Sequence, residues 1–194
     1  MNKTILINAR HAEEKRVAIV QDQRLTDFYV EVSSARHLRG NVYKGVITAL
    51  EPGLQAAFVN FGEEKQGFLP LHEVMPENFR LKTKEKNPRI KDVLAKGQEI
   101  VVQVEHDQRG TKGASLTTYI SLPGRYIVMM PGQERVGISR KIEDPEARER
   151  LKEAFKELKV SKKTGFILRT AGEGCSAEEL ANDLKYLTKL WNKI

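Results

Sequence analysis

The sequence predicts an α+β chain with a small five-stranded β-barrel at its centre. Three observations lead there. Five short β-rich runs, at 41–50, 54–61, 66–70, 98–106 and 114–120, are separated by turn-forming residues, with one long insertion between the third and fourth. Ahead of them, 3–9 (KTILINA), 16–20 (RVAIV) and 25–32 (LTDFYVEV) alternate as strands do. Behind them, two stretches carry apolar residues at helical spacing.

The leading strands form a meander, with a turn at Asp22–Arg24, that is too small to bury both of its faces alone. In the five-run region, Pro52-Gly53 separates the first two runs and Gly62 the next, and Gly45 and Gly67 add to the glycines that tight curvature demands. Five strands in this arrangement match an OB-type barrel. A further strand is expected at 125–130, ended by Pro131-Gly132. A helix then starts near Asp144 with Pro145 at its first position, and its stripe is Ala147, Leu151, Ala154, Phe155 and Leu158. After a strand at 165–169, Ser176 opens a second helix, with Glu179 three residues on as a capping box requires. Leu180, Leu184, Leu187 and Trp191 form its stripe. That pattern still runs at Ile194, which reads as a piece of something larger.

The chain of 194 residues carries 33 basic and 26 acidic side chains, a net charge of +7 that suits an anionic partner. Seven cations and two acids lie between Arg80 and Lys96, so this segment alone contributes +5: either a solvated loop or a long-range field for a polyanion. A single cysteine, Cys175, excludes an internal disulfide framework. The absence of a signal sequence and of any long apolar run reads as a cytoplasmic protein.

Catalytic and metal-binding signatures are missing: there is no phosphate-cradling glycine loop followed by Lys-Ser/Thr, no HExxH and no Cys-x-x-Cys. Four scattered histidines suggest no ligand set, and no carboxylates pair at strand ends for acid–base or two-metal chemistry. Binding is better served. Tyr43, Phe58, Phe61 and Phe68 lie on the barrel strands, and bases stack on aromatic faces. Period-two alternation sets Phe58 and Phe68 on one outer face with Val59 and Leu69 inward, whereas Tyr43 and Phe61 read equally as core. Lys44, Arg109 and Lys112 are candidates for backbone phosphates. Near the end, GFILRTAGEGCS carries an apolar strand into Arg169 and Thr170. The guanidinium fork and the hydroxyl suit a terminal phosphate, but an Arg169–Glu173 ion pair and a threonine-closed turn fit the pattern equally well.

Taken in order, GNVYKGVITALEPGLQAAFVNFG, GFLPLHEV, GTKGASLTTYISLPGRYIVMMPG, VGISRKIED and RTAGEG resemble the N-terminal part of the ribonuclease E/G family, from about Lys3 to the end. The RTAGEG form and the closing LKYLTKLW are more similar to its ribonuclease G branch. The resemblance implies an OB-fold RNA-binding domain of ribosomal-protein S1 type at 36–118. It is inserted between the leading strands of a split ribonuclease-H-like subdomain, 1–35, and an α/β 5′-sensor subdomain, 119–194, expected to be truncated. By the same resemblance, Arg169 and Thr170 fall on the 5′-phosphate-binding pair, and Gly124 and Val128 on positions that touch the terminal nucleotide. Phe58, Phe68 and Lys112 fall on RNA contacts, and Pro70 stands where the wider OB class often has a histidine.

The expected partner is single-stranded RNA, preferably 5′-monophosphorylated, and the full-length protein is expected to be a magnesium-dependent endoribonuclease of RNA processing and decay, compatible with a homo-oligomer. No catalytic residue, metal or cofactor is expected on this chain, because the family's magnesium-holding aspartates lie in a following DNase-I-like part. The chain alone is therefore expected to be inactive. The alternative is a stand-alone OB-fold RNA-binding protein without end sensing, and a weaker one is a basic scaffold for an acidic protein. The first predicts RNA affinity without end discrimination, and the second predicts no preference for single strands.

Overall fold

The computed structural model describes residues 3–32, 37–80, 88–158, 160–161 and 163–194. Residues 81–87 of the basic segment, with Lys82, Lys84 and Lys86, lie outside the described residues. The chain divides into two compact units, Met1–Leu38 and Arg39–Ile194.

The first unit is a three-stranded antiparallel meander of β1 (Lys3–His11), β2 (Glu14–Gln21) and β3 (Arg24–Val32). Asp22 and Gln23 make its second turn with positive φ angles of 48° and 65°. The pairing puts Leu6 opposite Ala18 and Ala18 opposite Phe28 on one face, with Ile5, Ile7 and Tyr29 on the other. Within a three-stranded sheet neither face can be covered, so Ile7 and Phe28 stay 71% and 55% exposed.

The second unit begins with a closed barrel of β4 (Val42–Glu51), β5 (Ala56–Asn60), β6 (Gly67–Pro70), β7 (Glu99–His106) and β8 (Ser115–Thr117) in the order β4-β5-β6-β8-β7. Only the β6–β8 pairing is parallel, with Phe68 opposite Ser115. Alternate residues point inward, and Ile47, Val59, Leu69, Val102, Val104 and Leu116 fill the interior. A register shift between Ile47 and Ala49 bends β4 enough for closure. The short helix α1 (Ile90–Val93) buries Ile90 and Val93 against the same interior.

Beyond the barrel, a four-stranded sheet runs in the order β11 (Val136–Ile138), β12 (Thr164–Leu168), β10 (Ile127–Pro131), β9 (Leu122–Pro123). Helix α2 (Pro145–Lys156) connects β11 to its parallel neighbour β12, a β-α-β crossover. Asp144 caps α2 by accepting from the amides of Glu146 and Ala147. Helix α3 (Ala177–Trp191) opens with the reciprocal Ser176–Glu179 box. Ile127, Met129, Leu151, Phe155, Phe166 and Leu180 form the centre of a core between this sheet and both helices. The sheet is tied to the barrel by Gln103, which is 6% exposed. Its amide donates to the carbonyls of Gly40 and Ser121 and accepts from the Ser121 amide, so burying it costs no unmade hydrogen bond. Leading strands, OB-type barrel, and sheet with helices together make an α+β protein.

Candidate nucleic-acid interface

The barrel presents an aromatic pair. Phe58 on β5 and Phe68 on β6 are directly opposite in the antiparallel ladder, their ring centroids 6.0 Å apart and tilted by 64°. Both rings are half-buried, while the residues that follow them, Val59 and Leu69, are fully enclosed. Core packing on one side of each strand therefore forces both rings outward, where they leave aromatic surface open to a base. Tyr43 and Phe61 form a second edge-on pair at 5.2 Å, but Phe61 is only 4% exposed and belongs to the core.

The cations expected on the barrel differ in what holds them. Lys44 is exposed and bound to Glu99 at 2.8 Å. Arg109 and Lys112 close the tip of the β7–β8 connection through reciprocal main-chain bonds of 3.1 and 3.0 Å, both side chains outward. This tip is pressed onto the end of β6: the Phe68 amide donates to the Ala114 carbonyl, and a Cβ on Gly113 would stand 1.9 Å from the Gln66 carbonyl oxygen. Glycine is therefore required at 113 for the tip to lie beside Phe68.

The second element is the sheet edge where β12 ends. Arg169 and Thr170 follow its last residue and are exposed, and Thr170 starts a 3-10 turn. Arg169 is held by the 124–127 turn between β9 and β10. Its amide donates to the Tyr126 carbonyl at 2.8 Å, and its guanidinium donates to the Gly124 carbonyl. No ion pair between Arg169 and Glu173 occurs among the described residues, while the turn of the same reading does form, with the Glu173 amide donating to the Thr170 carbonyl at 3.0 Å. The guanidinium has further N–H donors beyond the one spent on Gly124. Val128, half-buried on β10, lies opposite Ile167 in the same ladder, one residue from the pair that ends at Leu168.

Sequence reasoning missed what holds that turn. Asp183 on α3 accepts the amides of Arg125, Tyr126 and Ile127 at 3.1, 2.8 and 2.9 Å. The available signal was its spacing, since it sits three residues after buried Leu180 and four before buried Leu187, on the apolar stripe. Beside it, the Tyr126 hydroxyl donates to Glu179 at 3.1 Å. The Glu179 carboxylate titrates below the usual range because it accepts the Ser176 amide and, further, the Tyr126 and Ser176 hydroxyls. Burial, reinforced by Glu179, pushes the Cys175 thiol up, away from the thiolate a nucleophile would need. Among the described residues, no group of three or more His, Cys, Asp or Glu is arranged to hold a metal ion, and no helix is long and apolar enough to cross a membrane.

An OB-type barrel with an outward aromatic pair and a cationic tip, joined to a sheet edge bearing an anchored guanidinium, defines a nucleic-acid-recognition protein. Residues 36–118 match the S1 RNA binding domain, and residues 121–194 match the ribonuclease E/G family. The chain is 49% identical to ribonuclease E of Escherichia coli (strain K12) over 194 residues, covering 99% of this chain and 18% of that one. It is 50% identical to ribonuclease E of Haemophilus influenzae over 197 residues, covering 99% and 21%. With ribonuclease G of Escherichia coli (strain K12) the identity is 40% over 198 residues, covering 100% and 40%. The chain thus carries a ribonuclease E/G family domain beside an S1 domain, and it spans less than half the length of these relatives. Identity over the whole chain is higher to these two ribonuclease E sequences than to ribonuclease G, so the G-like stretches are local.

Proposed function

We propose that this chain is the RNA-binding and 5′-monophosphate-sensing portion of a single-strand-specific bacterial endoribonuclease of RNA processing and decay. Residues 1–35 are assigned to a split ribonuclease-H-like subdomain, 36–118 to the S1-type RNA-binding domain and 119–194 to the 5′ sensor. The observation that carries the reading is Arg169, held at main chain and side chain by one turn, with no ion pair to an acid among the described residues.

In this reading a 5′-phosphate takes charge-assisted hydrogen bonds from Arg169 and the Thr170 hydroxyl, with Gly124 and Val128 bounding the terminal nucleotide. The strand stacks bases on Phe58 and Phe68 while Lys112 and Arg109 neutralise phosphates. Lys44, already paired with Glu99, contributes less. Magnesium is assigned to the catalytic part of the full-length enzyme, and no step on this chain runs through it. A cytoplasmic location and assembly of the full-length enzyme into a homo-oligomer complete the proposal.

Anisotropy titrations with a short A/U-rich single strand, carrying a 5′-monophosphate or a 5′-hydroxyl and with magnesium present, test the assignment on the wild type and on Arg169→Ala. The monophosphate is expected to bind more tightly, the gap to close in the variant and the RNA to stay intact. Equal affinities for both ends in both proteins would leave an OB-fold RNA-binding protein without end sensing.

A further inference from the structure

We infer that Asp183 is a positioning residue of the end-group site: it holds the Gly124–Ile127 turn in the one shape that presents the Gly124 carbonyl to the Arg169 guanidinium. The inference rests on the reading of Arg169 as the 5′-phosphate ligand.

Three successive main-chain amides, of Arg125, Tyr126 and Ile127, converge on the two oxygens of one carboxylate. Such a run of amides is an anion-binding nest, and here its occupant is a side chain of the protein's own α3. The turn is closed by the Gly124 amide donating to the Ile127 carbonyl at 2.8 Å. With its amides turned inward to Asp183, the turn shows its carbonyls to β12. Tyr126 accepts the Arg169 amide and Gly124 accepts the Arg169 guanidinium. The chain of contacts is thus α3 carboxylate, turn, arginine, and each link is made by the chain's own groups. A guanidinium fixed in this way spends little of its rotamer entropy on binding, which is the advantage of preorganisation.

Gly124 gains a second meaning from the same geometry. A Cβ at that position would fall 2.5 and 2.6 Å from the two Asp183 oxygens. The space a side chain needs is already taken by the carboxylate, so the glycine at 124 answers to Asp183 and not only to a nucleotide. Substitutions at 124 and 183 must therefore interact, as contacting residues do, and a coupling that appears in end-group discrimination separates a positioning device from a general structural contact.

The test measures the ratio of 5′-hydroxyl to 5′-monophosphate dissociation constants for the same RNA, with affinity for the hydroxyl form reporting on the intact barrel. Asp183→Ala and Gly124→Ala are each expected to lower the ratio roughly tenfold, since small misplacement of a binding group is costly. Asp183→Asn, which keeps one acceptor oxygen, should fall between wild type and Asp183→Ala. In the double variant Gly124→Ala should add no further loss, because the carboxylate it collides with is gone. Independent, multiplying effects overturn the inference, as does an undiminished ratio in Asp183→Asn and Asp183→Ala with hydroxyl-end affinity intact. Arg169→Ala separates the two levels: if it leaves the ratio unchanged, the phosphate-sensing reading itself fails and takes this inference with it.

Discussion

Removing the aromatic rings of the barrel tests whether its outer face stacks bases. Phe58 and Phe68 face each other across the β5–β6 ladder at 6.0 Å, each half-buried, above an interior closed by Val59 and Leu69. Truncating either to alanine removes one stacking platform, worth about 1–3 kcal/mol per base, or roughly a 5- to 150-fold weaker complex. The stability cost should be smaller than the roughly 3–5 kcal/mol of a fully buried phenylalanine, because only part of the ring's surface is enclosed, even though the lost edge contact itself costs about 0.5–1.5 kcal/mol. Titration of 5′-hydroxyl single-stranded RNA isolates this face from the sensor, and thermal unfolding of the same samples reports the fold. Phe58→Leu and Phe68→Leu keep apolar bulk while removing the π-face, so they should lose RNA affinity with less effect on melting. If all four variants remain folded and bind as the wild type does, bases do not stack on this face.

Two further outcomes follow from the charged groups. Lys112→Ala should reduce the slope of log affinity against log salt by about 0.7, the value for one neutralised phosphate on a single strand. Lys44→Ala should change the slope less, because Lys44 is already bound to Glu99, and an equal change would assign Lys44 to RNA as well. The Glu179 carboxylate is lowered in the folded state chiefly by the Ser176 amide. Its charged support of the α3 cap is therefore present above the unfolded glutamate range near pH 4.3 and is lost as pH falls through the lowered folded value, a pH dependence absent from Glu179→Gln. Carboxyl NMR titration reads this directly, and a Glu179 midpoint at or above the unfolded value would remove the argument.

Much of the fold was legible because its signals are local. The Asp144-Pro145 start of α2 and the Ser176–Glu179 box at α3 are hydrogen-bonding patterns within three residues, and the stripes of both helices are repeats within a few turns. Phe58 and Phe68 could be set on one face from alternation alone, because a five-residue and a four-residue strand keep period two. β9 and β11, two and three residues long, are too short to show any period. Their existence follows only from pairing with β10 and β12.

The site divides along the same line. The sequence by itself determined which groups are chemically able to meet RNA: two aromatics on alternating strands, a basic glycine-flanked tip, and an arginine and threonine ending a buried strand. Tertiary structure decided which of them are committed elsewhere. Lys44 meets Glu99 across two strands, and Phe61 goes inward against the barrel. Arg169 bonds Gly124, 45 residues back, rather than Glu173 four residues on, and Asp183 reaches a turn 56 to 58 residues away. Period and capping are set by nearest neighbours along the chain, whereas these partners meet only once the barrel has closed and α3 has packed on its sheet.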